Sequence, residues 1–214
     1  MSSLKSARLI SPTEESWNTI SHALGLLMSL VGFILLFTWH PQPMTMSKAL
    51  ILSVFGLSLV ALYLASTLYH AATSPERKRW FKYCDHAAIF LLIAGTYTPY
   101  CLIGRDGQGV VLAVTVWIMA VVGIVAKFFL VGRFRFVSTL MYLLMGWVVV
   151  FHFDFLRTLP EGELTWLVAG GLSYSVGTIF YLWRSLPFSH AIWHLFVLGG
   201  SACHYIGVLL YLAA

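Results

Sequence analysis

Seven apolar stretches, each about long enough to cross a bilayer and parted from the next by a short polar loop, constrain this chain more than any other feature. They run from about Ile20 to Trp39, then roughly over 49–70, 86–103, 110–130, 137–155, 163–183 and 190–212. A helix needs about 20 mainly apolar residues to span the hydrocarbon core, and in lipid a spanning backbone must pair its own polar groups. The spacing predicts an all-α integral membrane protein. A polar N-terminal segment (residues 1–19) precedes a bundle of seven transmembrane helices (residues 20–214), whose short loops make neighbours antiparallel. Composition agrees, since 59% of the 214 residues are hydrophobic and 10% are charged, against roughly 25% charged in soluble domains. The first stretch does not read as a signal peptide. It is too long, Glu14 and Glu15 precede it, and no A-x-A site follows it.

Charge sets an expected orientation. Lys5, Arg8, Arg77, Lys78, Arg79, Lys82, Lys127, Arg133, Arg135 and Arg184 fall on one side, and Lys48, Arg105 and Arg157 on the other. The positive-inside rule then puts the N-terminus in the cytoplasm and the C-terminus outside, as expected for a multi-pass protein of the cell (inner) membrane. The net charge of +5 is spread over these loops, so it points to topology and not to nucleic acid. Cys84, Cys101 and Cys203 form no CxxC pair and no even-numbered framework. The partner implied is membrane lipid, with homo-oligomerisation left open.

Topology also decides which polar side chains can meet. His22, His70, His86, His190 and His194 all fall near the cytoplasmic ends of their stretches, and Asp85 joins them. His190 and His194 are four residues apart, on one helix face. Three imidazoles and a water make a common catalytic zinc shell, so His70, His190 and His194 are the candidate metal ligands. Asp85 is the candidate to orient a water or take its proton. Ser66, one turn before His70, is placed to hydrogen-bond a ligand, a water or a substrate carbonyl. Each has a plainer reading: His70 as an interfacial histidine, Asp85 as a cap on the third helix, Ser66 as a small residue in a helix contact. His204 lies ten residues beyond His194, about 15 Å along a helix, too far to share a metal. His22, His86 and His204 receive no role. Gly170-Gly171 and Gly199-Gly200 are expected to permit close helix approach, and Thr96-Tyr97-Thr98-Pro99 to bend the third helix and line a cavity.

The wording of the motifs adds a resemblance. Glu15-x-x-Asn18-x-x-x-His22, Ser66-x-x-x-His70 with Asp85 following, and His190-x-x-x-His194 resemble the three motifs of the progestin and adipoQ receptor superfamily. Ala65-Ser-Thr-Leu-Tyr-His70, Asp85-His86, Ala94-Gly-Thr-Tyr-Thr-Pro99 and His190-Ala-Ile-Trp-His194 look like its bacterial branch, the hemolysin III family. The likeness runs from about residue 14 to the end. It implies an intramembrane zinc on His70, His190 and His194, a water-orienting Asp85 and a supporting Ser66. The related adiponectin receptors and alkaline ceramidases further imply hydrolysis of a lipid amide. The function expected is thus a zinc-dependent membrane hydrolase acting on a lipid amide or ester near the cytoplasmic face. One alternative is a non-enzymatic lipid-homeostasis protein with a structural zinc. Another is a channel or cytolysin of the hemolysin III type, although nothing in these residues derives a pore.

Overall fold

Helix α1 (Pro12–Thr38) starts earlier than its apolar stretch suggests, because a complete capping box sets its first turn. The Ser11 hydroxyl accepts from the Glu14 N–H at 3.2 Å, the Glu14 carboxylate accepts from the Ser11 N–H at 2.9 Å, and Pro12 supplies a preset φ. Its buried residues are Glu14, Asn18, His22, Gly25, Ser29, Gly32 and Leu36, spaced by three and four and so on one face. Trp17, Ile20, Leu24, Leu27, Val31 and Ile34 are exposed. A helix on a soluble domain turns its apolar stripe inward. Here the polar and small face is inside and the apolar face outside, the arrangement that suits lipid as the outer solvent.

The computed structural model describes residues 10–39, 44–105, 107–130 and 134–213. Lys5, Arg8, His40 and Arg133 lie outside them. The described residues are helical throughout, with no strand: α2 (Met46–Ala71), α3 (Pro75–Leu102), α4 (Val110–Leu130), α5 (Arg135–Gly146), the four-residue α6 (Phe153–Leu156), α7 (Glu161–Leu182) and α8 (Ser189–Gly207) follow α1. A 3-10 turn (Val148–Phe151) joins α5 to α6, and a π-helical turn (Val208–Ala213) extends α8. Among the described residues, four helices are long and apolar enough to cross a membrane: α1, α2, α4 and α8 with its extension. The 28-residue α3 opens on Glu76, Arg77, Lys78, Arg79, Lys82 and Asp85, which makes its first three turns polar.

Two departures from the sequence reading follow. Asp85 lies ten residues inside α3, so it is not a helix cap. The stretch 137–155 is not one helix: α5 stops at Gly146 and the chain breaks at Trp147. The break is held from α3. The Tyr97 hydroxyl donates to the Gly146 carbonyl at 2.7 Å and accepts from the Val149 N–H at 3.2 Å, so it satisfies backbone groups that the broken helix leaves open. Trp147 Nε1 donates to Ser175 on α7 at 2.9 Å.

α1 packs on both α2 and α8, α3 on α2 and α4, and α7 on α8. The α7–α8 contact is close because Gly170 meets the His204 ring and Gly200 meets Tyr174, while Gly171 meets Trp147 at the α5 break. α3 contributes to both hydrophobic cores, through Leu92 and Tyr100 on one side and Phe90 and Tyr97 on the other. Despite Pro99, α3 runs on to Leu102. Between α3, the α5 break, α7 and α8 lies an internal cavity of about 180 Å³, walled almost wholly by apolar groups, with His22 and Asp85 among its polar lining and His204 further along α8.

Candidate metal centre

The end of α2 brings His70 to the first turns of α8, where His190 and His194 stand one above the other. One ring nitrogen from each of the three lies within 4.8 Å of the others. His70 Nε2 and His190 Nε2 are 3.3 Å apart. Two nitrogens on a single tetrahedral zinc, each at 2.0–2.1 Å from it, are separated by ~3.3 Å, so that pair has the spacing two ligands of one ion need. His194 Nε2 is buried with no hydrogen-bond partner, a costly state for a ring nitrogen that nothing engages. The three imidazoles therefore fit a metal ion and could hold one.

The backs of two rings are fixed, as ligating histidines require. His70 Nδ1 meets the Glu15 carboxylate at 3.1 Å, and His194 Nδ1 meets the Ser21 hydroxyl at 2.9 Å. Both partners come from α1, which lies between α2 and α8. Glu15 is itself held by the Asn18 amide at 3.0 Å and by the Lys78 ammonium. His22, also on α1, stacks on His194 with centroids 3.5 Å apart and planes 15° from parallel. Both its ring nitrogens are buried without a partner, and it lines the cavity. The Trp193 and Tyr181 rings complete an aromatic wall around His190.

The other sequence candidates are placed as follows. Asp85 is buried and lines the cavity together with His22. Its Oδ2 is 3.2 Å from His86 Nδ1. Ser66 is fully buried on the His70 face of α2, and its hydroxyl has no partner. His204 stands apart from the triad, stacked on Tyr174 at 5.6 Å. Cys84 is exposed.

The sequence shows Glu15 as part of a motif without a role for it, and it does not single out Ser21. The signal for Glu15 was present as a polar stripe, Glu15, Asn18 and His22, spaced by three and four on a helix otherwise apolar. What it lacked was the partner, since nothing in one helix says which ring on another it will face.

Comparison with known proteins gives a consistent picture. The family model described as haemolysin-III related matches residues 10–205. The chain is 45% identical over 200 residues to "Hemolysin-3" of Bacillus cereus, covering 92% of this chain and 91% of that one. It is 44% identical to a "Hemolysin-3 homolog" of Bacillus subtilis, covering 92% and 94%. It is 29% identical over 209 residues to the human "Monocyte to macrophage differentiation factor", covering 93% and 84%. No solved structure matches it.

Proposed function

The chain belongs to the haemolysin-III-related family, within the progestin and adipoQ receptor superfamily, and from that premise we propose that it is a zinc-dependent hydrolase of a lipid amide or ester. It acts from a seven-span bundle in the cell membrane, N-terminus in the cytoplasm, with the triad near the cytoplasmic face. One observation carries the reading: a buried group of three histidines able to hold a metal stands beside an apolar cavity whose polar lining includes Asp85. An apolar cavity suits an acyl chain, and it leaves the reacting carbonyl as the group to be positioned among the polar side chains.

Zinc held by His70, His190 and His194 would supply Lewis acidity toward water and toward a carbonyl. Every other part belongs to the chain. Glu15 and Ser21 fix the orientations of His70 and His194 from behind. Asp85 orients the attacking water and takes its proton as oxygen bonds to the carbonyl carbon. It then returns that proton to the departing amine or alcohol as the C–N or C–O bond breaks, leaving a carboxylic acid that ionises on release. The Ser66 hydroxyl, free of any partner, donates to the water or the carbonyl oxygen. The apolar walls exclude bulk water, which strengthens these polar contacts.

Asp85→Asn tests the assignment. The variant is expected to keep its zinc and to lose lipid-amide turnover by at least a hundredfold, read by product release and elemental analysis on the same sample. Wild-type turnover in this variant would remove Asp85 from the mechanism.

A further inference from the structure

A second concave site opens where the end of α2, the first turns of α3 and the end of α4 meet. It is a groove lined by Tyr69 at the end of α2, by Lys78, Arg79 and Lys82 on the first turns of α3, and by Phe128 and Phe129 at the end of α4. Both phenylalanines are exposed, as is Arg79. Three cations thus face a polar hollow rimmed by two aromatic rings that are open to the surroundings. Burial first, and then the like charges of Arg135, Arg184 and Lys78, disfavour the charged form of Lys82, with Asp85 as the offsetting acid. Crowded like charges repel one another, and an anion seated among them relieves that repulsion. The positive-inside rule asks only that cations lie on one side of a membrane. It does not gather them in one hollow with an apolar rim.

The groove shares a residue with the metal centre. Lys78 lies over the Tyr69 ring at 5.4 Å, and its ammonium pairs with the Glu15 carboxylate that hydrogen-bonds His70 Nδ1. Lys78 is only partly exposed, placed where it can turn to either the groove or Glu15.

We propose that this groove binds the phosphate of an anionic phospholipid, and that the bound lipid, by drawing Lys78 away from Glu15, tightens the hold of His70 on its metal. The lipid source follows from the rim: Phe128 and Phe129 suit the acyl boundary, while the cations suit the headgroup level. The coupling follows from charge. A Glu15 carboxylate freed from an ammonium accepts more strongly from the His70 N–H, and outer partners of that kind alter metal affinity by about 10–100-fold when removed. The coupling rests on the metal reading above, whereas the groove does not.

The experiment compares purified protein in phosphatidylcholine nanodiscs with protein in discs containing about one-third phosphatidylglycerol. Native mass spectrometry reads retained lipid, and chelator competition reads zinc affinity. The wild type is expected to retain phosphatidylglycerol preferentially and to bind zinc several-fold more tightly in the anionic discs. Arg79→Ala/Lys82→Ala is expected to lose both effects, and Lys78→Met to give one zinc affinity in either lipid. Equal retention of the two lipids by wild type overturns the site. Preferential retention with unchanged zinc affinity overturns the coupling. Glycerol phosphate reproducing the affinity shift in neutral discs overturns the lipid as the ligand. If no disc yields zinc-bound protein, the metal reading fails and takes the coupling with it, while retention still decides the groove.

Discussion

His70 is tied at Nδ1 to Glu15 while its Nε2 faces His190 at 3.3 Å. A carboxylate behind a ligating ring fixes its tautomer and raises its basicity. Glu15→Gln keeps the shape and removes the charge, so it is expected to weaken zinc binding by about 10–100-fold in chelator competition with the fold intact. An unchanged affinity would reduce Glu15 to a partner of Lys78. At this scale the sequence was informative where spacing alone decides contact. His190 and His194 share a face by being four residues apart, and Ser66 precedes His70 by one turn. It was silent where contact depends on how helices sit against each other. The stacking of His22 on His194 and the meeting of Ser21 with His194 Nδ1 depend on the register of α1 against α8, which no local pattern encodes.

At the scale of the element, the break after α5 shapes the cavity, because Gly146, Trp147, Val149 and Val150 all line it. The Tyr97 hydroxyl bridges the Gly146 carbonyl and the Val149 N–H. Tyr97→Phe leaves both backbone groups unsatisfied in an apolar setting, a loss of about 1–3 kcal/mol. A drop in melting temperature in detergent larger than that of Tyr83→Phe, whose hydroxyl reaches the Ile124 carbonyl only at 3.5 Å, is the expected result; equal melting would mean that the break holds itself. Gly170→Ala belongs with it, since a Cβ there would meet the His204 ring at 2.5 Å and push α7 from α8. The break was not legible in the sequence, where Val148–Phe151 carries an apolar run straight on from α5 and no proline follows before Pro160. It exists because Tyr97, from another helix, offers the backbone a partner. The inside-out face of α1 was legible, because small and polar residues recur there at helical spacing in a stretch otherwise apolar.

On the scale of the whole molecule, α1 lies between α2 and α8, and the triad reaches across from one to the other. A metal that binds the folded state alone stabilises it by mass action. Chelation is therefore expected to lower the melting temperature by about 5–10 °C and zinc to restore it; an unaltered melt would show that the helices hold without it. Orientation is separately testable through Cys84, which is exposed and next in sequence to Asp85 on α3. In a variant lacking Cys101 and Cys203, a membrane-impermeant maleimide should label Cys84 in inverted vesicles and not in intact cells. The reverse pattern would turn the bundle over. Helical class and membrane character came directly from the apolar stretches, while the count of seven crossings goes beyond the four long apolar helices among the described residues, because α3 begins with three polar turns and the fifth stretch is broken. The most direct test of the account is elemental analysis of protein purified without chelators, with wild type beside His190→Ala/His194→Ala. About one zinc per chain in the wild type and none in the variant is the expected result. A wild type that stays metal-free when zinc is resupplied, or a variant that keeps its zinc, would contradict it.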